Sequence, residues 1–195
     1  MYQKILIVKY ARCTMKPNRK KLDNAIPSIL SAPKNDAQIE QLCYRPEFGE
    51  RNFVDMLPVS VNGGVQGCRW SHTPWLKKKD GSGDPRIQVS ILQKRVLDLV
   101  YVPGNDEIHP GDTFIVDMDL SHDNLPIGSV IQAGSALLRV SDHWNNACVK
   151  WKVRYGSDAL DWVRQDENIK FRLRGVLCEI IKDGNIINGE LLQKV

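Results

Sequence analysis

Cys148 is the residue around which chemistry can be built. It stands in the stretch His143-Trp144-Asn145-Asn146-Ala147-Cys148-Val149-Lys150-Trp151, with an imidazole five residues before it, an ammonium two residues after it and two amides between. Cationic neighbours and free backbone N–H groups favour the thiolate, which is both the nucleophile and the soft metal ligand. The opposing reading is a buried thiol, which behaves as a small inert hydrophobe. Leu137 to Asp142 alternates like a β-strand, and a helix is predicted over about 157–165. The thiol therefore falls where a strand hands over to a loop, a setting that suits reactive side chains.

The other cysteines argue against a disulfide framework. There are five, at 13, 43, 68, 148 and 178, an odd number at wide spacings. Reduced thiols are the expectation. No Cys-x-x-Cys occurs, and a zinc site shared by His143 and Cys148 lacks a second local pair. Cys178 sits mid-strand among apolar residues and reads as packing.

Composition sets the frame. With 195 residues, 42% hydrophobic and 26% charged, the chain is long enough for one domain with a real core and is not a disordered polypeptide. Ile5-Leu6-Ile7-Val8 is too short for a signal-peptide core or a membrane span, so a cytoplasmic location is expected, with no membrane partner. The formal charge of +4 is short of a nucleic-acid footprint but suits a small anionic ligand. The basic runs Arg19-Lys20-Lys21 and Lys77-Lys78-Lys79 lie beside turn formers and read as solvated loops.

Residues 1–37 read as an N-terminal strand and extension, peripheral and proline-bearing, ahead of a domain over 38–195. From Gln38 the pattern is β-like. The turn Gly63-Gly64-Val65-Gln66-Gly67-Cys68-Arg69-Trp70 could present N–H groups and Arg69 to an anion, or simply join two strands. Ser90-x-x-Gln93 resembles a capping box opening a helix that ends before Pro103-Gly104. Phe114 to Leu120 alternates, placing Asp117 and Asp119 on one face. Two carboxylates there invite a metal reading, and the solvated side of a half-buried strand accounts for them more simply. Hairpins are expected at Ala133-Gly134-Ser135 and at Asp183-Gly184, the latter joining Val176–Ile181 to Ile186–Leu192. The sum is a mostly β, barrel-like or sandwiched protein with a few helices at its edges.

In this order the segments resemble a stand-alone MOSC domain, the module at the C-terminus of molybdenum cofactor sulfurases. The likeness covers about 38–192. The glycine turn 63–70 is similar to G-G-x-x-G-D-R-[HW], and Arg86-Ile87-Gln88-Val89-Ser90-Ile91 to R-x-Q-V-S-L. Gly111-Asp112 running to Asp119-Leu120 resembles G-[DE]-N-L-x-V-x-x-x-D-L, followed by Leu125-Pro126-Ile127-Gly128 and Arg174-Gly175-Val176. The defining cysteine falls on Cys148. Cys68 and Thr113 depart from the usual Asp and Asn.

The resemblance implies a β-barrel of the MOSC/PK type. It also implies a cysteine that carries sulfur as a persulfide or ligates molybdenum. On that reading His143 and Lys150 stabilise the thiolate, while Arg69, Arg154 and Arg174 hold a pterin phosphate or another anion. Molybdenum cofactor is the implied cofactor. Pyridoxal phosphate belongs only to a partner cysteine desulfurase, and a redox partner is the other implied protein. Two alternatives stay open: a molybdenum-dependent reductase of N-hydroxylated compounds, and a non-catalytic module that binds a partner through Trp144 and Trp151.

Overall fold

The computed structural model describes residues 16–101 and 108–195; the strand-like run at Ile5–Val8 and the Pro103-Gly104 stop lie outside them. The chain opens with α1 (Arg19–Leu30), then β1 (Ala37–Glu40), β2 (Leu42–Tyr44), β3 (Asn52–Val54), β4 (Met56–Ser60) and β5 (Gly64–Val65). A 3-10 turn at Arg69–Ser71 and a second at Pro85–Ile87 precede β6 (Val89–Gln93), α2 (Lys94–Val100) and β7 (Phe114–Val116). Next come β8 (Val130–Ala133), β9 (Ala136–Val140), α3 (Val149–Tyr155), α4 (Ser157–Arg164) and α5 (Asp166–Ile169). The chain finishes with β10 (Val176–Lys182), β11 (Gly184–Ile187) and β12 (Leu191–Lys194).

Seven strands close a barrel in the order β1-β12-β8-β9-β10-β6-β7, with β7 returning to β1. All its pairings are antiparallel except β6 with β7, which α2 and the segment after it connect as a crossover. The fold is thus a closed, mixed β-barrel with few helices, as expected. Closure removes unpaired edges. Phe114, Val116, Ile91, Leu138, Ile180 and Leu192 fill the interior.

The strands β6 and β7 are buried on both faces. Ile91 and Phe114 point into the barrel, whereas Leu92 and Ile115 join a second core with Leu22, Trp151, Tyr155 and Trp162. This outer core is where the helices bury their apolar sides, so α3 is held against the barrel wall.

Four local expectations are corrected. Residues 19–30 form a helix that buries Leu22 and Ile29, despite Pro27 in its last turn. Asn18 caps it, and the Arg19 N–H donates to Asp158 at 2.9 Å, tying α1 to α4. The Arg19-Lys20-Lys21 run is accordingly helical. Ser90 is a strand residue: it exchanges hydrogen bonds with Thr113, and the helix starts at Lys94. Asp183-Gly184 is no hairpin turn. There the chain leaves the barrel, since β10 pairs with β6 and β9 while β11 pairs with β4 in a separate three-stranded sheet. Finally, β7 stops at Val116, and Asp119 is buried, accepting from Ser121 N–H at 2.9 Å to form a turn.

Candidate functional site

Hydrogen bonds from its own side chains, its backbone and α4 hold the loop that carries Cys148. His143 N–H donates to Ser141 Oγ at 2.8 Å to start the turn after β9, and Asn145 Nδ2 donates to the carbonyl of Arg174 at 3.2 Å. From α4, Arg164 donates to the carbonyls of Asn146 and Ala147 at 2.8 and 3.3 Å. Those hooks hold Ala147 at φ 59°, a left-handed conformation that costs an ordinary residue about 1–2 kcal/mol. The kink turns the chain into α3 with Cys148 as its N-cap. The thiol is exposed and unpaired.

Cys148 borders a cavity of about 410 Å³. Its lining comes from distant parts of the sequence. The loop between β2 and β3 supplies Arg45, Phe48 and Arg51, and the first 3-10 turn supplies Arg69. The approach to β7 supplies Pro110 and Asp112. Residues 144–148 with Lys150 and Arg154 form another wall, completed by Arg174 ahead of β10. Lys150 and Arg154 are one helical turn apart on α3, so both reach the cavity.

Six basic side chains therefore surround one carboxylate. That carboxylate is already used. Asp112, 1% exposed, takes two bonds from Arg174 Nη1 at 2.9 and 3.0 Å, and the same guanidinium lies 4.7 Å over the ring of Trp151. Phe48 carries Arg69 at 4.1 Å and Lys150 at 5.3 Å over its ring, a favourable cation–π arrangement. Among the described residues, Arg51 Nε and Arg69 Nη1 are buried with no hydrogen-bond partner. Burial, reinforced by Arg154 beside Arg51 and by Arg45 beside Arg69, lowers the pKa of both guanidiniums. Such a cluster is repulsive by itself and favours an anion.

Residues 108–113 form the back wall of the cavity. Tyr155 Oη, at the end of α3, donates to the Ile108 carbonyl at 2.7 Å. Gly111 N–H donates to His109 Nδ1 at 3.0 Å, which leaves the ring proton on Nε2, 3.1 Å from Gln41 Oε1. Burial pushes the pKa of His109 down to about 4, so this histidine is a neutral structural strut. It holds the turn that delivers Asp112 to Arg174.

The structure brings together Cys148, Arg69, Lys150, Arg154 and Arg174 around one cavity, and places His143 elsewhere. The His143 ring packs on Trp75 with centroids 5.3 Å apart and borders a neighbouring recess of about 140 Å³. Arg45 and Arg51 went unread because their loop is an ordinary Pro/Gly bend in sequence. The signal was two arginines bracketing Pro46 and Gly49. In the glycine turn, Gly64 and Gly67 have φ of 72° and 75° and lie against Trp70 and Tyr44. Neither of them lines the cavity; packing of Trp70 and Tyr44 explains them. Cys68 is buried in the barrel core, and burial pushes the Cys43 and Cys178 thiols up to about 11 and about 12. Trp151 is 3% exposed, so the surface expected from Trp144 and Trp151 together does not exist. No group of three metal-ligating side chains occurs among the described residues. No helix among them is long and apolar enough to cross a membrane.

No protein-family profile matches the chain, and no curated protein matches it in sequence. Solved structures do match in shape. A hypothetical protein aligns with a TM-score of 0.56 at 17% identity, over 82% of this chain and 68% of that one. The YuaD protein of Bacillus subtilis aligns at 0.53 and 19%, covering 80% and 93%. YiiM of Escherichia coli aligns at 0.52 and 16%, covering 81% and 69%. The chain therefore shares the barrel fold of YuaD and YiiM. At these identities the likeness concerns the fold.

Proposed function

We propose that the protein handles sulfur or binds molybdenum cofactor in the Cys148 cavity. The observation that carries this reading is an exposed thiol bordering a cavity with six basic side chains, whose single carboxylate is already paired. The donor set fits the cofactor. A thiolate suits sulfur and molybdenum, and the basic side chains that line the cavity suit phosphate or another oxyanion. When bound, the cofactor supplies a redox-active metal and a sulfur-bearing pterin. Cys148 is the sulfur acceptor or metal ligand in this account. Arg69, Lys150 and Arg154, with Arg45 and Arg51, hold the anion, and Arg174 fixes the wall through Asp112. His143 contributes by steadying Trp75 at the rim. Pyridoxal phosphate stays with a partner desulfurase, which passes sulfur to the thiol.

The test is metal analysis and intact mass of protein purified from a host that makes molybdenum cofactor, beside Cys148→Ser. A persulfide on Cys148 without metal identifies a carrier. Bound molybdenum that Cys148→Ser loses identifies a cofactor protein, and turnover of N-hydroxylated compounds then separates a reductase from a binding protein. Neither adduct nor metal in the wild type refutes the reading.

A further inference from the structure

The positive charge of the cavity exceeds what one thiolate requires. Among the described residues, Arg45, Arg51, Arg69, Lys150 and Arg154 have no carboxylate within 4.0 Å, and Asp112 is committed to Arg174. Arg51 Nε and Arg69 Nη1 are buried without a partner, and they sit on two different segments. These five basic groups come from three separate segments, the β2–β3 loop, the first 3-10 turn and α3, an arrangement that suits a molecule with several carboxylates. The volume of about 410 Å³ is that of a small-molecule site. Phe48, Trp75 and Trp144, all partly exposed, surround it with apolar surface for an organic body between the charges.

We propose that Cys148 undergoes thiol–disulfide exchange with small disulfides bearing carboxylates, chosen by their negative charge. The inference rests on the reading of Cys148 as the sulfur-handling residue and names the class of reagent it takes. In the step, Cys148 thiolate attacks one sulfur of the incoming disulfide. A new bond forms from Cys148 Sγ to that sulfur and the reagent's S–S bond breaks. The electron pair leaves on the departing thiolate, which solvent protonates. Cys148 is oxidised and one half of the reagent is reduced, so no further oxidant is needed. Arg69 and Lys150, which share the ring of Phe48, together with Arg51 would hold the carboxylates during attack.

The experiment follows the rate of mass increase at Cys148 with three probes: oxidised glutathione (anionic), 2-hydroxyethyl disulfide (neutral) and cystamine (cationic). Each rate is divided by that of a free cysteine peptide with the same probe. The anionic probe should be favoured over the neutral one by at least about tenfold, the low end of electrostatic steering in a charged cleft. Cystamine should be disfavoured. Arg51→Gln and Arg69→Gln should each cut the preference severalfold, while Arg139→Gln, whose partner is Glu179, should leave it unchanged. High salt should also reduce it. Equal normalised rates for all three probes overturn the inference, even if Cys148 carries a persulfide or molybdenum. A preference that survives Arg51→Gln and Arg69→Gln together overturns it too. A Cys148 inert to every probe, the neutral one included, overturns both this inference and the sulfur-handling reading.

Discussion

Acid should loosen the back wall of the cavity through His109. In the folded protein its Nδ1 accepts from Gly111 N–H and its Nε2–H reaches Gln41, so a second ring proton breaks the first bond. Its pKa falls from 6.5 to about 4, with burial as the main cause. The sign follows from which state takes up the proton. Between these values the unfolded chain binds a proton and the folded one does not. Stability is therefore fully present above pH 6.5 and is lost as pH falls toward 4. At about 1.4 kcal/mol per tenfold the full loss is about 3 kcal/mol, of which about 2 kcal/mol falls between pH 7 and 5. Urea unfolding at both pH values, for wild type and His109→Asn, measures it. The variant should be weaker at pH 7 and should have a shallower acid slope. His122, whose pKa burial also lowers, contributes in the same direction and remains in both proteins. An acid slope unaltered by His109→Asn would refute the argument.

Other substitutions probe the site and its supports. Arg174→Gln strands the 1%-exposed carboxylate of Asp112 and should cost about 3–5 kcal/mol in urea unfolding. Combining it with Asp112→Leu should recover much of that loss. Gly175→Ala should be severely destabilising, because φ is 86° and a Cβ would collide with the Ile91 carbonyl oxygen of β6; a thermal melt within about 2 °C of wild type contradicts this. Cys148→Ser replaces an exposed, unpaired side chain and should change stability by no more than about 0.5 kcal/mol while abolishing any adduct or metal at that position.

Much of the barrel was legible because alternation is a local signal. The hairpin of β8 and β9 and the helix at 157–164 fall where period and turn residues place them. The failures share a cause. Asp183-Gly184 has hairpin chemistry, yet the next strand pairs with β4, where Val61 N–H donates to Asp183 at 2.8 Å. Ser90 and Gln93 have capping chemistry, yet Ser90 meets Thr113 in the barrel and Gln93 donates to the Ile29 carbonyl at 2.8 Å. Residues 19–30 have the polar, proline-bearing look of an extension, yet burial of Leu22 and Ile29 against the outer core holds them in a helix. Each time a tertiary partner overrode a local preference.

The site divides along the same line. From the residues alone came the thiol, its place after a strand, Lys150 as its cationic neighbour and Arg69 in a glycine turn that could face an anion; Arg154 and Arg174 entered only as what the family resemblance implies. Residue type and local spacing reach no further than that. The tertiary structure decided which charges meet the thiol. It moved His143 to a neighbouring recess, buried Trp151, neutralised Asp112 with Arg174, and brought Arg45 and Arg51 across from a loop about a hundred residues away. No local rule carries that information, because closing a barrel sets which distant loops share one end, and electrostatics acts through space.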